Sequence, residues 1–303
     1  MISPDEVLKQ FGERIRERRN ALGLSQESLG FRSDLDRTYI SDIERGVRNV
    51  SLLNIVRLAK ALDVGPSDLF GSKSHRATTD LPSYRLRDGF HINCGFELTG
   101  QDVLKAVQRT AEEMQALPFS LFKSISLKAV SGMVGALYAT SIAQRTSGIV
   151  NPIEKGHPDI IPQEGIDAPE EKLRDYGVGL EIKCTVGGVE KGSDLSSGEG
   201  RIEHLKSITW QAHHREVKSL MGLVIDFAGQ EMRGGRYPVI TGVFYSDNLC
   251  KNDWGKISGT TGRNTKVTGM LVSGKSKMGD GWVVIYNDNL VMSRYSSILK
   301  FEM

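Results

Sequence analysis

The chain of 303 residues carries a formal net charge of +2, with 39% hydrophobic and 25% charged residues. That length accommodates two domains and that composition a packed core, which excludes a wholly disordered chain. Near-neutrality excludes a global pull on nucleic acid, so any such surface is a local patch. No apolar run reaches the ~18 residues a membrane-crossing helix needs, and the charged opening MISPDEVLKQFGERIRERR lacks a signal-peptide apolar core. Cys94, Cys184 and Cys250 are odd in number and widely spaced, which suits neither a disulfide framework nor a zinc site, and a cytoplasmic chain is expected.

Residues 8–70 read as short helices. The first, over 11–22, places Phe11, Ile15 and Leu22 on one side and leaves Arg14, Arg18 and Arg19 as a solvated face, with Gly23 stopping it. Ser25 is a good N-cap for the next, QESLGF. TYISDIERG follows and Gly46 ends it; SLLNIVRLAKAL is capped by Ser51, and PSDLF closes the set with Pro66 in its first turn. Residues 73–85 are small and polar without periodicity and read as a linker, dividing the chain into 1–72, 73–85 and 86–303.

Beyond the linker, 101–116 and 120–146 carry helical patterns. From 148 onward strand-like runs appear at 149–153, 158–162, 178–186, 221–227 and 238–246, interrupted by a helical pattern over 201–219. Residues 255–280 are rich in Gly, Ser, Thr and Lys, and GWVVIYNDNLVMSRYSSIL reads as a hairpin turning at 287–289.

The stretch from GLSQESL through TYISDIERG to NVSLLNIVRLAKAL resembles the phage-repressor (XRE) type of helix-turn-helix domain. That resemblance implies an all-α DNA-binding domain whose helix from about Asp36 enters the major groove, with Gln26 on backbone phosphate. Arg37, Thr38, Tyr39, Ser41 and Asp42 then face the bases, Ile40 and Ile43 face the core, and Arg45, Arg48 and Asn49 sit where backbone contacts occur. The charges of residues 1–75 nearly balance, so a monomer is expected to bind weakly and a dimer to be needed. A helix-turn-helix kept for protein contact is the alternative.

In GVGLEIKCT, period-two alternation puts Val178, Leu180 and Ile182 on one strand face and Gly179, Glu181 and Lys183 on the other. A charged pair on a strand apolar enough to be central is expensive unless something holds it, and a divalent cation with a phosphate would do so. Asp159, after Pro158, supplies a second carboxylate if 158–162 neighbours 178–186. Two carboxylates and the Ile182 backbone carbonyl are hard oxygen donors suited to Mg²⁺, and Lys183 would stabilise an attacking hydroxide or the charge developing on phosphorus. The bland alternative is a surface hairpin with an incidental Glu–Lys pair.

PD at 158–159 with EIK at 181–183 resembles the PD-(D/E)xK nuclease family. The resemblance implies an α/β domain, a mixed sheet flanked by helices of restriction-endonuclease type. It also implies Asp159 and Glu181 as metal ligands and Lys183 as the catalytic lysine. Residues 120–146 lack the additional acid some relatives carry on the preceding helix; Glu154 is the nearest substitute. Combined with the N-terminal domain, this implies a type II restriction endonuclease: a homodimer that hydrolyses double-stranded DNA with Mg²⁺ and leaves 5′-phosphates. The helix-turn-helix would extend target recognition or autoregulate expression.

Gln211 and His214, on the helical pattern over 201–219, could touch the phosphate; His204 and His213 are further histidines there. Lys251, Lys256, Arg263, Lys266, Lys275 and Lys277 face only Asp253 in a glycine-spaced segment able to follow a DNA groove, with Arg263, Asn264 and Lys266 the contacts expected. Trp210, Trp254 and Trp282 read as core. No H-E-x-x-H occurs, which argues against a metallopeptidase, and no nucleotide cofactor is expected. Two other readings stay open: a non-catalytic XRE-family regulator, and a repair or recombination nuclease.

Overall fold

Two of the N-terminal helices begin at serine caps. α1 spans Pro4–Ala21, α2 Gln26–Ser33, α3 Arg37–Glu44 and α4 Leu52–Ala61. Ser25 caps α2 by accepting from the Ser28 N–H, and Ser51 caps α4 by accepting from the Asn54 N–H. Gly46 turns the chain after α3 at φ +70. Ile15, Leu29, Ile40, Ile43 and Leu58 form the centre of this core. The computed structural model describes residues 4–64, 69, 83–154, 156–193, 195, 199–213, 215–229, 231–232, 235–258 and 267–302. Of PSDLF only Leu69 is described, buried in this core, and most of the expected linker lies outside the described residues. The chain divides into two compact units, Met1–Thr79 and Asp80–Met303.

The second unit opens with β1 (Tyr84–Leu86), β2 (His91–Asn93) and β3 (Glu97–Thr99). α5 (Gly100–Gln115) starts with a Thr99–Asp102 capping box. α6 (Phe119–Ser124) and α7 (Leu127–Ala143) follow. Then come β4 (Gly148–Val150), β5 (Ile160–Pro162), α8 (Glu170–Leu173), β6 (Ile182–Thr185), β7 (Gly188–Val189), β8 (Leu205–Ser207) and β9 (Gln211–Ala212). β10 (Leu220–Asp226), β11 (Glu231–Met232), β12 (Gly235–Arg236), β13 (Val239–Ser246) and β14 (Thr268–Gly269) lead to α9 (Val272–Asp280), β15 (Trp282–Tyr286) and α10 (Asn289–Leu299).

The principal sheet has the order β1-β15-β13-β10-β6. Its pairs are antiparallel except β10–β6, which is parallel, so the sheet is mixed and β6 forms one edge. Every residue of β10 is buried, because helices cover both faces. Met221, Leu223 and Ile225 pack with α5–α7, while Leu220 and Val224 pack with Trp210, Trp254 and residues of α9 and α10.

Several sequence expectations require correction. Tyr84 and Arg85, expected in the linker, pair with Tyr286 and Ile285 as part of β1. The helix expected over 120–146 is two helices, because Ser126 caps a new one by accepting from the Ala129 N–H at 3.3 Å. Among the described residues no α-helix occupies 201–219: Ile208, Trp210 and Ala212 are buried at alternate positions, a period-two pattern that the i, i+3 spacing of Ile202 and Leu205 disguises. The segment is a 3₁₀ turn, Ile202–His204, followed by β8 and β9. The expected terminal hairpin is β15 followed by α10, since the Asp288 carboxylate caps the Leu290 and Val291 N–H groups. Residues 272–280, expected irregular, form α9.

Candidate functional site

In the N-terminal unit, Arg37 and Thr38 are exposed at the start of α3, Ser41 and Asp42 are half-buried, and Arg45, Arg48 and Asn49 are exposed. Arg45 is ion-paired to Asp42. Tyr39 is partly withdrawn: its hydroxyl accepts from Asn54 Nδ2 at 3.3 Å, and the Arg48 guanidinium stacks 5.1 Å above its ring. Gln26 Nε2 donates to Glu44 Oε2 at 2.9 Å. That same carboxylate takes Arg19 in bidentate fashion, at 2.6 and 3.0 Å. Arg19 is therefore buried rather than part of a solvated face, and Arg18 Nε donates to the Leu62 carbonyl at 3.1 Å. Sequence periodicity hides such pairs, because the partner lies 25 positions away. Arg263, Asn264, Lys266 and His214 lie outside the described residues.

The structure brings Asp159, Glu181 and Lys183 together at the edge strand of the sheet. β5 approaches the residues just before β6 through an antiparallel bridge, Ile160 with Leu180, whose two backbone hydrogen bonds are 3.1 and 2.8 Å. Gly179 permits the approach: it sits at φ +145, and a Cβ there would lie 2.3 Å from the Ile160 carbonyl oxygen. Regular strand begins only at Ile182, and Val178 is exposed rather than in line with buried Leu180.

Lys183 Nζ is ion-paired to Glu181 Oε1 and lies 4.0 Å from Asp159 Oδ2. The Ile182 N–H donates to Asp159 Oδ2 at 2.7 Å. The Glu181 carbonyl accepts from Met221 at 2.8 Å, so Glu181 faces β10 with its backbone, and Ile182 turns its N–H and C=O to the opposite, Asp159 side. His157 supplies a group that sequence reasoning missed: Nδ1 lies 3.3 Å from Glu181 Oε2. Its ring is 6.2 Å from that of His213, which β9 delivers. Glu154, Gln211 and Lys251 are exposed. Lys277 holds buried Asp253 at 2.7 Å instead of projecting toward a ligand.

Electrostatics distinguishes the two carboxylates. Burial, then the Glu181 charge, pushes Asp159 above the usual carboxylate range. Burial also works against ionised Glu181, but the His157 hydrogen bond and the Lys183 charge outweigh it and hold Glu181 low. Burial opposes a charged Lys183, yet Glu181 and Asp159 prevail and raise it. The bond to Glu181 raises His157. Lys183 is thus a fixed cation between two converging carboxylates.

Among the described residues no group of three or more His, Cys, Asp and Glu side chains is placed to hold a metal ion. The donors that converge are two carboxylates and the edge on which the Ile182 carbonyl lies. Such a hard, oxygen-only set fits Mg²⁺, which takes one or two carboxylates and keeps water for its other positions. No helix among the described residues is long and apolar enough to cross a membrane.

Residues 15–69 match the helix-turn-helix family model HTH_3. Over 60 residues, 20% of this chain and 74% of the relative, the sequence is 58% identical to control protein C.BamHI of Bacillus amyloliquefaciens. Over 67 residues, 22% of this chain and 90% of the relative, it is 42% identical to control protein C.MunI of Mycoplasma sp. The solved structure of the restriction-modification controller protein C.AhdI from Aeromonas hydrophila is 60% identical and covers 20% of this chain and 94% of that one, with a TM-score of 0.20. A structure of C.Esp1396I bound to a 19 base pair DNA duplex is 38% identical over 21% of this chain and 85% of that one, TM-score 0.20. These likenesses concern the N-terminal fifth of the chain and say nothing of the mixed-sheet unit. Through its N-terminal unit, the chain belongs to the helix-turn-helix family that includes the control protein C.BamHI.

Proposed function

We propose that the chain is a DNA-binding nuclease: a type II site-specific deoxyribonuclease of PD-(D/E)xK kind joined to a control-protein-like helix-turn-helix. The observation that carries the reading is the meeting of Asp159, Glu181 and Lys183 at one end of edge strand β6, one side chain coming from a different element. A bound Mg²⁺ supplies Lewis acidity and an activated water at such a site. Asp159 and Glu181 hold it together with the Ile182 carbonyl. Lys183, kept protonated by both carboxylates, stabilises negative charge developing on the phosphoryl oxygens. Its ammonium needs no reorganisation to do so, since it is already fixed by Glu181. A mixed sheet with helices on both faces suits a restriction-endonuclease-like domain. A homodimer would present two such centres to the two strands of a palindrome.

The likeness to control proteins favours a role for the N-terminal unit at an operator, so that the chain regulates its own expression as well as cutting. The same likeness supports a second reading, a regulator whose C-terminal unit does not catalyse.

Incubating the purified full chain with phage DNA and Mg²⁺, beside Lys183→Ala, separates these readings. Discrete fragments that disappear with EDTA and in the variant are expected. Binding in a gel shift without cleavage refutes the nuclease and leaves the regulator. Cleavage confined to branched or damaged DNA refutes site-specific restriction.

A further inference from the structure

The Glu181 carboxylate is gripped on both oxygens, by Lys183 on Oε1 and by His157 on Oε2 at 3.3 Å. The lysine follows two residues on, in β6, whereas the imidazole arrives from a separate loop that is itself firmly anchored. The His157 N–H donates to the Leu173 carbonyl at 3.2 Å, and its own carbonyl accepts from the Tyr176 N–H at 2.7 Å. Asn151 locks the same region, its Nδ2 donating to the carbonyls of Pro158 at 3.1 Å and Leu173 at 2.9 Å. Gly156 packs so closely on the Asn151 side chain that a Cβ there would lie 2.3 Å from it. Backbone hydrogen bonds on both sides of the residue thus fix where the imidazole sits. The His213 ring, 6.2 Å away and tilted by 57°, borders it.

We propose that His157 is a positioning residue that orients the Glu181 carboxylate for a divalent cation; this rests on the nuclease reading above. An ionised carboxylate only accepts, so Nδ1 carries the hydrogen in this contact. The neutral Nδ1–H tautomer and the imidazolium both supply it. With Nδ1–H on one oxygen and an ammonium on the other, the carboxylate plane is set. Without the imidazole only the lysine restrains rotation about its terminal torsion, a broad and shallow degree of freedom. Partners that orient a ligating side chain in this way typically account for 10–100-fold in metal affinity.

The test is calorimetric titration of the full chain with Ca²⁺, alongside plasmid cleavage in Mg²⁺ and thermal melting. Three variants separate geometry from mere packing. His157→Asn keeps a donor near the Nδ1 position, His157→Gln moves it toward the Nε2 position, and His157→Ala removes it. His157→Ala and His157→Gln are expected to weaken Ca²⁺ binding at least tenfold, and His157→Asn less than about threefold, with melting temperatures alike. In a Glu181→Gln background, His157→Ala is expected to add no further loss of affinity. Equal Ca²⁺ affinity in wild type and His157→Ala overturns the proposal while leaving the nuclease reading intact, as does an Asn variant that falls as far as the Ala variant. A wild-type chain that binds no Ca²⁺ and cuts no DNA in Mg²⁺ overturns the nuclease reading and this proposal with it.

Discussion

Replacing Lys183 by alanine tests the electrostatic logic of the site apart from any chemistry. The ammonium contacts Glu181 Oε1 and lies 4.0 Å from Asp159 Oδ2. At an effective dielectric constant near 20, one unit pair at that distance is worth about 4 kcal/mol. Asp159 retains 37% side-chain exposure, so solvent screens that contact, and the burial cost of the lysine itself disappears in the variant. A net loss of about 2–3 kcal/mol remains, because two carboxylates are left facing each other. For a domain of this size that lowers the melting temperature by about 5–10 °C. A divalent cation replaces the missing charge: Ca²⁺ at a hundred times its dissociation constant restores roughly 2.7 kcal/mol. The expected outcome is a chain that melts early in EDTA, recovers in Ca²⁺ by a larger shift than the wild type, and cuts no DNA. Differential scanning fluorimetry with and without Ca²⁺ reads all but the last. A variant that melts with the wild type in EDTA, or that Ca²⁺ leaves unchanged, refutes the view that these carboxylates converge to hold positive charge.

Glu44→Ala leaves Arg19 charged and buried without its bidentate partner, and the N-terminal unit is expected to lose about 3–5 kcal/mol and its DNA binding, read by circular dichroism and gel shift; an unchanged melt contradicts this. Gly179→Ala places a Cβ 2.3 Å from the Ile160 carbonyl at φ +145 and should part Ile160 from Leu180. Cleavage is expected to fall at least tenfold with far-UV dichroism retained, and full activity would show that the close approach is dispensable. Asp226 is buried and, although it accepts from Arg201, Ile202 and Phe227 N–H groups, burial lifts it to about 6. A carboxyl raised in the folded state binds its proton more readily there than in the unfolded chain, so its contribution to stability is lost as pH rises through about 6 and regained below. From pH 7 to 5 the unfolding free energy from urea titration should rise relative to Asp226→Asn by about 1.3 kcal/mol in all; parallel pH profiles for the two proteins would count against it.

The N-terminal helices were legible because their signals are local. Ser25 and Ser51 cap within three residues, Gly46 marks a stop, and Ile40 and Ile43 share a face by spacing alone. Partnerships that depend on distant chain were not legible. Arg19 looked like one more solvated arginine until Glu44 arrived beside it. The stretch 201–219 failed for another reason, since its buried residues satisfy helical spacing at Ile202 and Leu205 and strand spacing from Ile208 to Ala212. Trp210 packs against Gly222 of β10 in a fully buried cluster, and the alternate burial of Ile208, Trp210 and Ala212 follows strand spacing. His157 carried no signal of its own. Its value lies in backbone bonds to Leu173 and Tyr176, which no pattern of residue types announces.

The site itself follows from one register. Ile160 stands opposite Leu180 in an antiparallel bridge, so one step outward along that register Asp159 stands opposite Glu181. Opposed residues of an antiparallel pair project to the same face, and Lys183, two positions beyond Glu181, projects there too. All three side chains therefore share a face on account of a single pairing, although two of them are far apart in sequence. Slipping the bridge by one residue would carry Asp159 to the other face and leave Glu181 with only the lysine. The bridge is pinned against that slip by Gly179, which admits the Ile160 carbonyl, and by the Ile182 N–H, which donates to Asp159 at 2.7 Å. The convergence of the three charges is thus a consequence of where the chain permits backbone to touch backbone, and the glycine is as much a determinant of the site as the acids.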